Sequence, residues 1–248
     1  MSGAPSPPAP EPAPAPAPAI SAIIPCWNDA AALRGALERF AACPRPPEEI
    51  IVADASDNRE AADIAAAFGA MVIRCAQPGR GGQLNAGAAR ASSPVLLFHH
   101  ADVALGQPHL DALRAALQSD PDLAGGAFFK DTAAHYPRAA WAEPVIRWYS
   151  KNIGILYGDQ SVFARRRTFE SLGGFADIPL MEDVDFSRRL RRAGRITLLD
   201  PPLRASMRRF AKRGLLRTKA QNIAFVALFR LGVSPVRLHR WYYRVRAW

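Results

Sequence analysis

Three clusters of acidic residues sit where they could do chemistry. Asp54 and Asp57 follow the apolar run Ile50-Ile51-Val52-Ala53; Asp102 comes shortly after Val95-Leu96-Leu97-Phe98 and the pair His99-His100; Glu182, Asp183 and Asp185 open a polar, arginine-rich segment. A charge at the end of a buried strand costs free energy unless something pairs with it. In open α/β sheets, the crevice beyond the carboxyl ends of the strands is where ligands bind. Asp102 in that position is suited to hold a metal ion and, through it, the diphosphate of a nucleotide. The plainer alternative is a turn aspartate capping the helix after it.

These side chains need a scaffold, and the hydrophobic pattern supplies one. Residues 19–25 read as a first strand, and Asn28-Asp29 can cap a helix over 30–42 with Leu33, Leu37 and Phe40 on one face. A second strand over 49–53 is followed by a helix over 59–68 closed by Gly69, then a third strand over 70–75. Gly79-Arg80-Gly81-Gly82-Gln83-Leu84-Asn85 leads into the next helix, and the fourth strand ends at Phe98. Strand and helix alternating at this spacing predict an α/β fold, a mostly parallel sheet with helices on both faces. The second half is less regular. It reads as a helix over 110–117, a strand over 123–129, an aromatic and partly helical stretch over 137–157, and a short strand over 161–164. A helix ending at Gly173-Gly174 follows, then one from 181 to 192 whose acids suit the positive end of its dipole, then a strand over 196–199. Beyond Gly214 the chain reads as amphipathic helix to the end, with Ile223, Val226 and Phe229 as its apolar stripe beside Arg217, Lys219 and Arg230.

The bulk numbers bound the rest. With 248 residues, 49% of them hydrophobic, the chain can bury one sizeable core. Residues 3–19 carry eight of the 22 prolines among alanines, which predicts an extended tail over 1–19. Two further units are expected: a catalytic domain over 20–213 and basic helices over 214–248. Cys26, Cys43 and Cys75 are odd in number and lack metal-site spacing, so reduced thiols in a cytoplasmic protein are expected. No apolar run reaches the roughly 18 residues of a membrane span, and no secretory leader is recognisable. The net charge of +10 divides into −5 over residues 1–124 and +15 over 125–248. A basic C-terminal half points to an anionic partner: phosphate groups, acidic lipid or nucleic acid.

The order Ile-Ile-Pro-x-x-Asn, Ile-Ile-Val-x-Asp-x-Ser-x-Asn, Gly-Arg-x-x-Gln-x-Asn-Ala-Gly, His-x-Asp and Glu-Asp-x-Asp-x-Ser-x-Arg resembles the family-two glycosyltransferases of GT-A fold. Within that family it looks like a small bacterial "glycosyltransferase-like" subgroup associated with radical-enzyme gene neighbourhoods. The likeness runs over roughly residues 20–235 and rests on motif order. It implies a Rossmann-like GT-A sheet with a C-terminal helical extension. It also implies an inverting transfer of sugar from a nucleotide-diphosphate sugar, a UDP-sugar first, to an acceptor hydroxyl.

By this resemblance Pro25 opens the nucleotide pocket and Asp54 holds the base or ribose. Arg80, Gln83 and Asn85 contact the donor. Asp102 matches the last acid of the family's Asp-x-Asp motif, which binds a divalent metal, Mn²⁺ or Mg²⁺. His100 stands at the first acid, a departure that suits Mn²⁺-like ions better than Mg²⁺. Asp183 matches the general base, with Glu182 as the alternative. Asp159 and Gln160 fall near the acceptor. So does Arg209, although Phe210 replaces the family's tryptophan and the glutamine is absent.

Plainer roles stand beside these. His99 reads as a packed or capping histidine, the aromatics between 136 and 157 as core, and Arg165–Arg167 and Arg188–Arg192 as solvated helix faces. The basic tail either packs on the domain or makes peripheral contact with an anionic membrane. A sugar-nucleotide pyrophosphorylase shares a similar sheet but places its Gly-Arg loop directly after the first strand, where Pro25-Cys26-Trp27-Asn28 stands here. The non-enzymatic alternative is a basic module with a degenerate sugar-nucleotide pocket, binding membrane or nucleic acid; no specific nucleic acid is expected.

Overall fold

A computed structural model describes residues 17–131, 143–152, 154–205 and 215–246. Arg209, with Arg208 and Phe210, lies outside the described residues, as do most of the Pro/Ala tail, Tyr136, Trp141 and Trp248.

The N-terminal half is a βα repeat. Strand β1 (Ile20–Cys26) leads to α1 (Ala30–Ala41), β2 (Glu49–Asp54) to α2 (Glu60–Ala67), β3 (Met71–Arg74) to α3 (Arg80–Arg90), and then comes β4 (Val95–Phe98). As the sequence suggests, Asp29 caps α1, accepting from the Ala32 amide at 3.3 Å, and Gly69 ends the α2 turn at φ +71°. The chain continues through β5 (Val103–Ala104), α4 (Gln107–Ser119) and β6 (Leu123–Lys130) to α5 (Glu143–Asn152) and a 3₁₀ turn at Gly158–Gln160. It then forms β7 (Val162–Arg165), α6 (Arg166–Ser171), α7 (Glu182–Ala193), β8 (Arg195–Ala205), α8 (Leu215–Arg230) and α9 (Pro235–Arg246).

All eight strands join one sheet in the order β3-β2-β1-β4-β7-β6-β8-β5. The run β3-β2-β1-β4 is parallel, while β7 enters antiparallel to both β4 and β6; β6 and β8 are again parallel. The sheet is therefore parallel where the expected βα units lie and mixed beyond them. One apolar layer packs α1, α2 and α4 against one face. The other packs α3, α6 and α7 through Leu84, Phe98, Phe169, Phe175, Phe186 and Leu190.

The expected C-terminal helices are present, with a break at Gly232, which adopts φ +87° between α8 and α9. Two expectations need correction. The buried face of the tail is rotated. Phe225 and Val226 are buried and Phe225 meets Tyr242 edge-on at 5.7 Å, so Ile223 points into solvent at 68% exposure. Nor are Arg165, Arg166 and Arg167 merely solvated. Their guanidiniums donate to the carbonyls of Leu117, Asp120 and Leu123, of Ser93, and of Pro121, closing the loops at the amino ends of β4 and β6.

Candidate active site

The carboxyl end of β4, the start of α3, the 3₁₀ turn and the head of α7 converge on one cleft. Its floor is aromatic: Phe98 at the end of β4 lies edge-on to Phe175 at 4.8 Å, and Phe175 lies 4.4 Å from Phe186 in the second turn of α7. This packing presents the acidic head of α7 to the cleft, where Arg80, His100, Gly158, Glu182 and Asp183 line the wall.

Asp183 is held by backbone. Its carboxylate accepts from the Gly158 amide at 3.0 Å and the Val184 amide at 2.8 Å, at a helix N-terminus where negative charge is favoured. A carboxylate offers about four lone-pair sites, so two accepted bonds leave room for a substrate hydroxyl. Gly158 has no room for a side chain, because a Cβ there would stand 2.8 Å from the His100 ring. The imidazole and the backbone that holds Asp183 are thus in direct packing contact.

Glu182 is placed differently. It is 4% exposed against the aromatic floor, and its carboxylate pairs with Arg80 at 3.4 Å. Burial and then the Asp183 charge push its pKa up, with Arg80 opposing. Arg80 opens α3 and keeps 43% of its side chain exposed. Burial works against its charge, but the carboxylates of Glu182, Asp183 and Asp159 outweigh it and hold the guanidinium firmly protonated.

Asp102 sits part-exposed in the turn between β4 and β5. It does not cap α4, whose N-cap is Gly106, with the Gly106 amide donating to His109 Nδ1 at 3.2 Å. His99 is fully buried, 2.9 Å from Ser161 Oγ and 5.3 Å from the Phe40 ring, and burial pushes its pKa down to about 3. It is a packed residue, as its neighbours suggest.

Several predicted donor and acceptor residues are engaged in holding backbone. Gln83 is buried and donates to the carbonyls of Cys26 at 2.8 Å and Ala53 at 2.7 Å, tying the ends of β1 and β2 to α3. Asn85 exchanges two bonds with Phe175, at 2.8 and 2.9 Å. Gln160 donates to the Phe128 carbonyl at 2.9 Å. Asp54 is fully buried, paired with Arg74 and accepting from the Ser56 amide at 2.9 Å. Asp159 pairs with Lys130 at 2.5 Å. Pro25 is paired with Ala53 in the β1–β2 ladder, one residue before the strand end. The glycines beside Arg80 divide in role. Gly81 is packed against the Ala176 carbonyl, 2.7 Å from where a Cβ would be, whereas Gly79 and Gly82 face open space.

Sequence reasoning did not bring Arg230 and Tyr243 near this region. Tyr157 lies within electrostatic reach of Asp183, Asp159 and Arg230, and Arg80 within reach of Tyr243, so both C-terminal helices approach the cleft. No sequence signal joins residues so far apart.

Among the described residues no three His, Cys, Asp or Glu side chains assemble into a metal cage. The ligands that the resemblance implies, Asp102 and His100, would offer one oxygen and one nitrogen donor, with the rest from phosphate oxygens and water. That set fits an ion of Mn²⁺ type.

Residues 21–169 match the family model described as glycosyl transferase family 2. The chain belongs to that family. A Mycobacterium tuberculosis protein described as an uncharacterised glycosyltransferase is 29% identical over 128 residues, 52% of this chain and 57% of the relative. A Mycobacterium bovis protein of the same description matches equally. The chain thus spans little more than half the length of these relatives. In fold, this family-two chain resembles a Pyrobaculum calidifontis mannosyltransferase solved with GDP-mannose and Mn²⁺, at TM-score 0.67 and 20% identity over 90% of this chain and 67% of that one. It also resembles the M. tuberculosis glucosyl-3-phosphoglycerate synthase solved with Mn²⁺, UDP and phosphoglyceric acid, at TM-score 0.62 and 20% identity over 87% and 79%. The fold is GT-A. No helix among the described residues is long and apolar enough to cross a membrane.

Proposed function

We propose that this protein is an inverting glycosyltransferase that uses a nucleotide-diphosphate sugar, with Asp183 as general base. The observation that carries the reading is Asp183 itself. It is a part-exposed carboxylate fixed by two amides at the head of α7, in a cleft it shares with Arg80 and His100. Glu182, buried and paired with Arg80, fits a positioning role, in which it aims the guanidinium into the cleft.

The chemistry follows from these placements. An acceptor hydroxyl donates to Asp183, its oxygen forms the bond to the anomeric carbon, and the carbon–oxygen bond to the diphosphate breaks from the opposite face. Asp183 takes the proton. The departing diphosphate gains negative charge, which Arg80 is placed to receive. A divalent metal held by Asp102 and His100 would neutralise part of the same charge. The structures it resembles hold GDP-mannose or UDP with Mn²⁺, which supports a purine or pyrimidine diphosphate sugar with a divalent metal here. Pro25 in β1 remains a proposed base-side contact, and Asp54, fully buried at the end of β2, would act there through Arg74, which it holds, as Gln83 and Asn85 act through backbone.

The test is purified protein with Mn²⁺ or Mg²⁺ and a panel of UDP-, GDP-, dTDP- and CDP-sugars. Hydrolysis or transfer is expected with at least one. Asp183→Asn should lower kcat by about 10²–10⁴-fold while nucleotide still raises the melting temperature. Asp102→Ala should abolish the metal-dependent part of that rise. Full activity in both variants overturns the assignment, and stabilisation without turnover would make the protein a binding module.

A further inference from the structure

A second cavity, of ≈ 460 Å³, lies on the far side of α7 from the cleft floor, within the range typical of small-molecule sites. Its walls are α7, the segment Gly154-Ile155 and the end of α8. Four arginines line it: Arg188, Arg191 and Arg192 from α7, and Arg230 from α8. The apolar part is small, contributed by Ile155, Val184 and Phe229.

Among the described residues the arginines are poorly matched by acids. Arg188 reaches Asp185 at 3.7 Å, but Asp185 is held more closely by Arg189 at 2.7 Å. Arg191 donates to the carbonyls of Ser150 and Lys151 at 2.8 and 3.0 Å, and its Nε is buried without a partner among the described residues. Arg192 and Arg230 have no carboxylate partner among the described residues. Like charges brought together around a cavity repel one another, and an anion that enters removes that cost and gains charge-assisted bonds.

Position ties the cavity to the reaction. Helix α7 and the 154–158 segment each contribute to both sites: Asp183 and Gly158 to the cleft, Val184, Ser187, Gly154 and Ile155 to the cavity. Tyr157 lies within electrostatic reach of both Asp183 and Arg230. With about 1.5 Å rise per helical residue, Arg188 to Arg192 lie roughly 7–14 Å along the axis from Asp183.

We propose that this cavity binds the phosphate of the acceptor, so that the enzyme glycosylates a hydroxyl of a phosphate-bearing molecule. The inference rests on the glycosyl-transfer reading and adds the class of acceptor. The phosphate is carried either by a soluble phosphoester or by a lipid headgroup.

The experiment separates the two sources and the two readings. Glycerol 3-phosphate, inorganic phosphate and glycerol are titrated by calorimetry into the full chain, alongside UDP with Mn²⁺. Sedimentation with phosphatidylglycerol and phosphatidylcholine vesicles forms the lipid arm. The comparison proteins are Arg192→Gln with Arg230→Gln, at two surface-exposed positions that should not disturb folding, and separately Arg191→Gln, with melting curves recorded for each. Expected is binding of the phosphates but not of glycerol, weakened at least about tenfold in the variants, while UDP–Mn²⁺ binding is unchanged. Selective sedimentation with phosphatidylglycerol, lost in the same variants, would support the proposal with a lipid as the source. Phosphate and vesicle binding absent, or unaltered by the substitutions, overturns the proposal even where UDP–Mn²⁺ binds. Absence of UDP–Mn²⁺ binding in the wild type would count against the glycosyl-transfer reading instead.

Discussion

Asp183, Gly158 and His100 form a unit in which each side chain or amide fixes the next. Gly158 donates to Asp183 and leaves just enough space for the imidazole. Gly158→Ala should therefore damage catalysis without removing a functional group. The added methyl would stand 2.8 Å from the His100 ring, so the ring or the 3₁₀ turn must shift. Misplacement on the ångström scale can cost about 10²-fold in rate. Steady-state kinetics should show kcat falling while the donor KM changes little. A rate equal to wild type would mean that the turn is free to relax. Arg80 and Glu182 form a second unit, in which a buried acid whose pKa is pushed up is offset by a cation reaching into the cleft.

Among the elements, the strand ends are held by side chains that look ordinary in the sequence. Gln83 bonds two adjacent strand ends, and replacing it by leucine removes both bonds, leaving the Cys26 carbonyl with the Ala55 amide at 2.9 Å. Gln83→Leu should cost about 1–3 kcal/mol, read as a lower urea midpoint at unchanged slope. At the opposite edge Glu49 ties β2 to β1 and to the entry of β4 through Ser21, Ser92 and Ser93. Burial alone would raise its pKa, but these donors outweigh burial and lower it to about 2. A carboxylate with a depressed folded pKa contributes stability above its unfolded value near 4.5 and loses it as pH falls toward 2. Melting curves from pH 6 to pH 2 should show a shallower acid decline for Glu49→Gln, from a lower starting point. An identical slope would remove Glu49 from the acid response.

On the scale of the whole molecule, the basic C-terminal half is where the charge asymmetry acquires a place. The excess cations of residues 125–248 include the four arginines that face the cavity behind α7. The end of α8 closes that region, α9 packs on α8, and Leu238, fully buried, is among the residues that seat α9. Leu238→Ala should cost about 2–5 kcal/mol locally. Limited proteolysis is expected to cut the C-terminal helices faster, with transfer reduced while nucleotide still protects the sheet domain. Equal digestion of variant and wild type would show that α9 is seated by other contacts.

The sequence by itself determined the parallel βα units, because buried four-residue runs such as Val95–Phe98 and capped amphipathic helices such as that after Asp29 are local patterns. It also placed Asp102, Asp183 and Glu182 at strand ends or a helix head, since motif order and hydrophobic period both act over short spans. By resemblance it put Asp183 before Glu182, but it could not show how differently the two are buried. That difference is made by the Phe98–Phe175–Phe186 cluster, which buries one carboxylate and leaves the other in the cleft. Nor could it show that Gln83 and Asn85 hold backbone, that Arg165–Arg167 clamp carbonyls, or that Ile223 faces water. Each of these depends on partners far away in the chain, brought near only by the sheet order β4-β7-β6-β8. The arginine-lined cavity is the fullest case: its walls come from residues 154, 188 and 230, and only tertiary packing makes them one surface.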